Sequence, residues 1–402
     1  MNYDTKYILA KFNKSKPGAT DIGDIEKKLS EYICDPKNNE ESLNAFSELR
    51  LKLSSYFNLD AISLVTGNGT SIYAGSRDTR GFSLAAYTGK EKYKSIKSET
   101  DHISDKDIET ALNKLIILYE QKKIIEDSVS LSSYQALINE VKSALIDSFV
   151  SLDYSNLSSH EILLRKLRAF GCLNKVNIFT ANYDLAFEYA FDNLGIEYND
   201  GFTGFVSRKF APKTLEKKGL PILNKFHGSV NWISDNDEIL EEQPKFSYVD
   251  TVLGVEKTIR ELKININKDN EKVLIYPTAN KLYQTYSAPY SELMRFMLDR
   301  FESGKNLIIV IGYKYGDDHI NEILSKALAN PDNVFYFYDF DNDEKASFIN
   351  NMKKLAEITP NVNVLSGKIL ADFTNFAKFE VPATAEKTDE EKIVELLHKV
   401  MG

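Results

Sequence analysis

The chain has 402 residues, of which 43% are hydrophobic and 27% charged, and its formal net charge is −9. This balance is typical of a globular protein of about two or three domains and excludes a disordered or fibrous chain. Only two cysteines are present, Cys34 and Cys172, which excludes a disulfide scaffold and a zinc site built from four thiolates. The acidic charge argues against nonspecific binding of nucleic acid, which requires a basic surface.

The N-terminal residues lack the apolar run and the small-residue cleavage site of a secretory signal. No stretch of the sequence approaches the ~20 apolar residues that span a bilayer. We therefore expect a soluble, cytoplasmic protein that binds neither a membrane nor nucleic acid directly.

Two helical patterns, Ile22–Ile33 and Glu41–Phe57, predict a helical extension over residues 1–60. The next segment, Ala61–Thr66, is a short apolar run that ends at a glycine-rich turn. This order of residues is typical of a buried strand that meets a tight turn.

No Gly or Pro occurs between Glu91 and Phe170. Apolar residues recur in this stretch at a helical period, and the residues that break helices are absent from it. These features predict a helical insertion over residues 90–170, which would cover or flank a ligand site.

After Gly171 short apolar runs alternate with helical patterns, which predicts a doubly wound, mostly parallel, Rossmann-like α/β sheet. The predicted strands are Val176–Ala181, Lys272–Tyr276, Asn306–Gly312, Val334–Asp339 and Val362–Leu365. The predicted helices are Tyr290–Phe301, His319–Ala329 and Asp343–Leu355. We assign residues 61–89 and 171–380 to this domain. Residues 234–271 form a looser elaboration, and residues 381–402 form a tail with a helix at Glu390–Val400.

Residues Gly67, Asn68, Gly69, Thr70 and Ser71 follow the first predicted strand of the sheet. Glycines in this position let the backbone approach a pyrophosphate and leave N–H groups free to bind it. The spacing is not that of the dinucleotide fingerprint, so on spacing alone a simple tight turn is the favoured interpretation.

Polar residues also follow the strand at Val176, where Asn182 and Asp184 come directly after it. The carboxyl ends of parallel strands are where open α/β sheets bind ligands. The alternative is that either side chain only caps the helix predicted at Leu185–Asn193.

A further short run, Pro221–Lys225, is also predicted as a strand, and His227 is the only one of the five histidines that lies beside a glycine at a predicted strand end. Histidine is the natural general base near neutral pH, and a buried structural histidine is the alternative. A fourth segment runs from the strand at Ile308 into Gly312 and Asp317. It is either a second nucleotide-contacting turn or a helix start capped by an aspartate.

In this order the four segments resemble the sirtuins. Residues 67–80, GNGTSIYAGSRDTR, align without a gap with the sirtuin loop GAGxSxxxGIPDFR, which places Asp78 and Arg80 on matching positions. Residues 180–184, TANYD, resemble the sirtuin TQNID, and His227 with Gly228 resembles the catalytic HG. The fourth segment, IGYKYGDDHI, is similar to a turn common in the bacterial sirtuin-like branch.

Two departures from the sirtuin pattern qualify this resemblance. The zinc ribbon of deacylases is missing, and Arg77 and Thr79 replace the Pro and Phe of PDFR. In the family that Phe shields the reaction centre from water. The resemblance is therefore to Sir2-related effectors of bacterial antiphage defence that degrade NAD, which also carry a helical insertion.

The resemblance implies a NAD glycohydrolase that needs no zinc and forms nicotinamide and ADP-ribose. It implies that the loop from Gly67 to Ser71 holds the pyrophosphate, that Asn182 and Asp184 fix the ribose and nicotinamide ends, and that His227 is the general base. Arg80 and Asp78 would anchor and orient the loop, or form a structural ion pair.

Three alternatives to this activity remain. They are a NAD or ADP-ribose sensor without turnover, a zinc-free deacylase, and a structural subunit. The resemblance also implies a homo-oligomer and a separately encoded partner, such as a HerA-like ATPase.

Overall fold

The computed structural model describes residues 2–4, 49–76, 83–103, 108–150, 152–235, 238–242, 245–249, 259–263, 272–274, 288–341 and 346–384. Four of the sequence predictions lie outside these ranges. They are the helix at Ile22–Ile33, the two residues Asp78 and Arg80, and the tail helix at Glu390–Val400.

The described residues contain fourteen strands. They are β1 (Asn2–Asp4), β2 (Ala61–Thr66), β3 (Val176–Thr180), β4 (Phe202–Thr203), β5 (Arg208–Phe210), β6 (Ile222–Asn224), β7 (Gly228–Asp235), β8 (Glu238–Glu241), β9 (Lys245–Val249), β10 (Ile259–Lys263), β11 (Lys272–Leu274), β12 (Asn306–Ile311), β13 (Val334–Asp339) and β14 (Val362–Ser366).

The longer helices are α1 (Ile108–Ile124), α2 (Ser128–Val150), α3 (Ser158–Phe170), α4 (Ala186–Asn193), α5 (Tyr290–Glu302), α6 (Asp318–Ala327) and α7 (Ser347–Ile358). Residues 49–56 are also helical. Short helical turns lie at Asn68–Thr70, Ile72–Ala74, Ala85–Thr88, Glu91–Ile96, Lys97–Thr100, Asp101–Ile103, Leu173–Lys175, Pro212–Glu216, Phe373–Asn375 and Phe376–Glu380. No helix in the described residues is both long enough and apolar enough to cross a membrane.

The main sheet has seven strands in the order β1-β14-β13-β12-β2-β3-β6, and every neighbouring pair is parallel. From β2 the chain adds strands outward on one side, then returns to β2 and adds strands on the other side. This is the order of a doubly wound Rossmann sheet, so the predicted fold class is confirmed. The order reverses between β2 and β12, and open α/β sheets bind ligands at such a point.

Alternating side chains of the central strands divide the core into two layers. On β12, Leu307, Ile309 and Ile311 pack with α3, α4 and residues 49–57 on one face of the sheet. Ile308 and Val310 pack with α5, α6 and α7 on the other face. All of these side chains are almost fully buried, as expected for a parallel sheet covered on both sides. The carboxyl ends of its strands therefore lie along one edge between the two helical layers.

The described helices between residues 83 and 150 form a third hydrophobic cluster beside this edge, whereas α3 belongs to the first layer. Leu112 and Leu115 of α1 pack with Leu137 and Val141 of α2, and the same cluster includes Tyr189 of α4. These are the apolar faces that the sequence pattern predicts. Because α4 begins just after β3, the helical region flanks the carboxyl edge of the sheet.

Two segments differ from the sequence prediction. The run predicted at Lys272–Tyr276 forms β11, which pairs antiparallel with β7 in a second sheet of order β11-β7-β8-β5-β4. An apolar run predicts a buried strand but does not determine its partner or direction. Residues 2–4, predicted within a helical extension, instead form the edge strand β1 beside β14.

Candidate active site

The loop after β2 and the turn after β12 contact each other through three glycines. The Gly69 N–H donates to the Gly312 carbonyl oxygen at 2.8 Å. A Cβ atom on Gly69 would lie 2.6 Å from the Gly312 Cα, and one on Gly67 would lie 2.8 Å from the Gly312 oxygen. Gly312 itself has φ +67°, and a Cβ there would lie 2.6 Å from the Thr70 nitrogen. Both loops therefore need glycine because their backbones touch.

The sequence predicts that the N–H groups of this loop are free to bind a pyrophosphate, but the structure shows them in hydrogen bonds within the protein. In addition to the Gly69 N–H, the Thr70 N–H donates to the Gly67 oxygen at 3.0 Å, and the Ser71 N–H donates to the Asn68 oxygen at 2.9 Å. The Asn68 side chain also accepts a hydrogen bond from the Ser76 hydroxyl. The three N–H groups are already paired within the protein, because the glycines serve the turn and its contact with Gly312.

Replacing Gly69 with alanine is expected to lower the free energy of unfolding by about 1–3 kcal/mol, the usual cost of forcing extra atoms into a packed site. The new Cβ can be accommodated only by moving the backbone of Gly312. Urea unfolding of the variant and of Gly89→Ala measures the effect. At Gly89 the nearest atom, the Ala85 oxygen, lies at an ordinary 3.5 Å, so a loss there as large as at Gly69 contradicts this explanation.

Asn182 connects the loop after β3 to the loop after β2. Its Nδ2 donates to the Thr70 and Ser71 hydroxyl oxygens, both at 3.1 Å, and its backbone N–H donates to the Thr180 hydroxyl at 3.0 Å. The side chain is almost fully buried. Its Oδ1 atom, however, accepts no hydrogen bond from any described residue. A buried acceptor of this kind costs about 1–3 kcal/mol until a donor reaches it, which a ligand could supply.

Asp184 is buried two residues further along the same loop. Its Oδ1 accepts from the N–H of Ala186, the first residue of α4, at 3.0 Å. Burial raises the pKa of Asp184 above its ordinary value, while nearby Lys225 and a hydrogen bond from Ser71 act in the opposite direction. Asp184 thus bonds the start of α4, in line with the helix-cap alternative, and also contacts the glycine loop.

Lys225 holds the loop after β3 in place, and its sequence position alone did not predict this role. Its ammonium group is buried, donates to the backbone oxygens of Tyr183 and Asp184, and pairs with Glu188 at 2.8 Å. Burial raises the pKa of the Glu188 carboxyl, and Lys225 opposes that shift. The available sequence signal was a lysine within the otherwise uncharged stretch 221–226, two residues before the predicted catalytic histidine, because lysine is rarely buried without a partner.

His227 lies immediately before β7 and is 3% exposed. The ring of Tyr183 stacks beside it with a centroid distance of 6.4 Å, so His227 adjoins the loop that carries Asn182. Its Nε2 lies 2.9 Å from Nε2 of His319, the second residue of α6. We did not predict His319 as a site residue, although it lies in the fourth segment that the sequence singled out.

Asp317 occupies the position before α6, but its side chain makes no capping hydrogen bond to that helix. Its backbone N–H donates to the Tyr313 hydroxyl at 3.0 Å, and that hydroxyl donates back to the Asp317 carbonyl oxygen at 3.2 Å. The turn after β12 therefore brings Gly312 to the glycine loop and His319 to His227. Asp78 and Arg80, the remaining predicted residues, lie outside the described residues.

Taken together, the carboxyl ends of β2, β3, β6 and β12 place a glycine turn, a buried amide and an imidazole in one connected network. The amide of Asn182 offers an unmet acceptor, and the imidazole of His227 can accept or donate a proton. Within the described residues no group of three or more His, Cys, Asp or Glu side chains is arranged to hold a metal ion.

Comparison with known proteins gives the following matches. Residues 176–357 match the family model described as a SIR2-like domain. Among solved structures, a Sir2 homologue in complex with NAD aligns with a TM-score of 0.43 and 12% identity, over 81% of this chain and 91% of that one. A second structure, from work on the structural basis of sirtuin substrate affinity, aligns with a TM-score of 0.36 and 12% identity. The alignment covers 81% of this chain and 95% of that one. No curated protein matches the sequence.

The family match includes Asn182, His227 and His319, together with β3, β6, β12 and β13 of the main sheet. This is the half of the sheet that supplies the amide, the imidazole and the turn after β12. Over residues 176–357 the chain is therefore similar to the SIR2-like family.

Proposed function

We propose that this chain is a NAD glycohydrolase that cleaves NAD to nicotinamide and ADP-ribose. The match of residues 176–357 to the SIR2-like domain supports NAD-related activity, since that family is usually enzymatic and NAD-dependent. The observation that carries the proposal is Asn182, a buried amide that bridges to the glycine loop and has an unmet acceptor beside the segment of His227. A ribose hydroxyl is a donor of the kind that this acceptor lacks.

In the proposed reaction water attacks the ribose carbon that carries nicotinamide. The bond from that carbon to the water oxygen forms, and its bond to the ring nitrogen breaks. Nicotinamide leaves with the electron pair as a neutral molecule. His227 accepts the proton that the water loses, directly or through a ribose hydroxyl, and later releases it to solvent. Because positive charge develops on the ribose, groups fixed around that carbon contribute most to the rate.

The other predicted residues have supporting roles in this proposal. The turn from Gly67 to Ser71, together with Gly312, contacts the pyrophosphate. Its N–H groups form bifurcated hydrogen bonds, each to its partner within the protein and to a phosphate oxygen. Asp184 holds the end of the site that binds nicotinamide. Asp317, Asp78 and Arg80 remain proposed nucleotide contacts.

The direct test is to incubate the purified protein with NAD, alone and with the product of its genomic neighbour, and to quantify nicotinamide and ADP-ribose by chromatography. We expect equal amounts of both products. Thermal stabilisation by NAD without product indicates a sensor and overturns the proposal. NAD loss that requires an acyl-lysine peptide indicates a deacylase and overturns it as well.

We also propose that this activity acts in the cell by depleting NAD as an antiphage effector. The support is the resemblance of the helical insertion to that of bacterial sirtuin-like effectors. Restraint of such an activity would come from homo-oligomerisation or from a separately encoded partner, such as a HerA-like ATPase. NAD levels in cells that express the protein, measured with and without phage, test this role.

A further inference from the structure

We propose that His319 is a positioning residue for His227. His319 accepts a hydrogen bond from the His227 ring when His227 takes up the proton of the attacking water. The inference rests on the proposed NAD cleavage, since it assigns a second side chain to the same reaction. His319 lies 92 positions after His227 in the sequence and belongs to a different element, the helix α6, which begins at the same edge of the sheet.

The contact between the two rings is close and buried. The Nε2 atoms are 2.9 Å apart, the ring centroids are 5.1 Å apart, and the planes meet at 41°. His227 is 3% exposed and His319 is 7% exposed. A neutral imidazole has one N–H donor and one acceptor nitrogen, so this contact requires one ring to donate and the other to accept. The contact therefore couples the protonation of one ring to that of the other.

The direction of the bond is determined in the reacting state. Once His227 has taken a proton, both of its ring nitrogens carry hydrogen and its Nε2 can only donate. His319 must then accept through its own Nε2 and remain neutral. An oriented acceptor behind a catalytic imidazole stabilises the imidazolium and holds the ring in place, which is the role of the aspartate in a hydrolase triad.

The turn before α6 is built to hold His319 in a fixed position. Tyr315 has φ +58°, an uncommon conformation for a residue other than glycine. Its hydroxyl donates to the Tyr338 carbonyl oxygen at 2.8 Å, and its own carbonyl oxygen accepts from the Asn321 side chain at 2.8 Å. Strained backbone persists only where its surroundings impose it, and it concentrates at functional sites. The turn thus anchors the first residues of α6 on both sides of His319.

The test compares His319→Leu with His319→Gln. Leucine fills the buried space but cannot accept a hydrogen bond, whereas the glutamine oxygen can. We expect the leucine variant to lower kcat roughly 10- to 100-fold, the effect of losing a hydrogen bond to a charged group, with KM nearly unchanged. The glutamine variant should recover part of the loss. Equal losses in both variants, or a rise in activity in the leucine variant, would overturn the inference.

A second measurement separates this inference from the proposed reaction. Histidine-labelled protein is observed by NMR, where an imidazole N–H proton held between two buried rings exchanges slowly with water. We expect one such signal in the wild type and its loss in both His319→Leu and His227→Ala. If the signal is absent from the wild type, the inference fails even where NAD is cleaved. If the signal is present and NAD is not cleaved, the proposed function fails instead.

Discussion

Replacing His227 with alanine is expected to slow NAD cleavage by about 10²- to 10⁴-fold, the usual contribution of a general base. The ring lies beside the Tyr183 ring and hydrogen-bonds with His319, and no other described imidazole has both contacts. Asn182→Ala is expected to have a similar effect, because it removes the bridge to Thr70 and Ser71 as well as the unmet acceptor.

The measurement is the rate of nicotinamide release by purified protein at saturating NAD, with circular dichroism to show that each variant is folded. His102→Ala is the matched control, because His102 is exposed and lies outside the site. His227→Gln keeps a hydrogen-bonding group near His319. Its comparison with His227→Ala separates the effect of losing the general base from the effect of leaving His319 without its hydrogen-bond partner. If His227→Ala consumes NAD at the wild-type rate, the catalytic assignment is wrong.

Replacing Lys225 with methionine is expected to lower the free energy of unfolding by about 3–5 kcal/mol, the usual cost of leaving one member of a buried ion pair without its partner. Methionine matches the length of the lysine stem but leaves the Glu188 carboxylate uncompensated. Burial already raises the pKa of Glu188, and the loss of Lys225 raises it further. A carboxyl whose pKa is higher in the folded than in the unfolded state favours folding less as the pH rises, so the variant should be least stable at alkaline pH.

Two controls accompany the unfolding measurements in urea. In Lys225→Met with Glu188→Leu the uncompensated Glu188 carboxylate is removed, so part of the stability should return, while the buried Asp184 carboxyl still lacks the nearby lysine. Activity should not return, because the carbonyl oxygens of Tyr183 and Asp184 still lack their donor. Lys209→Met removes the exposed pair with Glu238, where the expected loss is about 0–1 kcal/mol. A loss at Lys225 no larger than at Lys209 contradicts the structural role of the buried lysine.

Much of the fold could be predicted because its strands are short apolar runs with both faces buried. The predicted bounds of Ala61–Thr66 and Val334–Asp339 match β2 and β13, and other ends differ by a few residues. The partner of β11 could not be predicted, because an apolar run carries no information on which neighbour it joins.

The site was predictable to the extent that its residues follow strand ends. Asn182 and His227 are of this kind. The contacts of Gly69 with Gly312 and of His227 with His319 could not be predicted from spacing, because each joins two chain segments through the order of the sheet. Local patterns record which residues end a strand, and only the tertiary arrangement determines which strand ends meet.

The pairing of β1 with β14 has a consequence for how the protein is made. Asn2 aligns with Val364, so the ribosome must add more than 350 residues after the first strand before its partner exists. The entropy of closing so long a loop favours docking of β1 after the rest of the sheet has formed. During synthesis β1 therefore stays unpaired until β14 has been made. Until β1 docks, the outer edge of β14 is exposed and can pair with other chains.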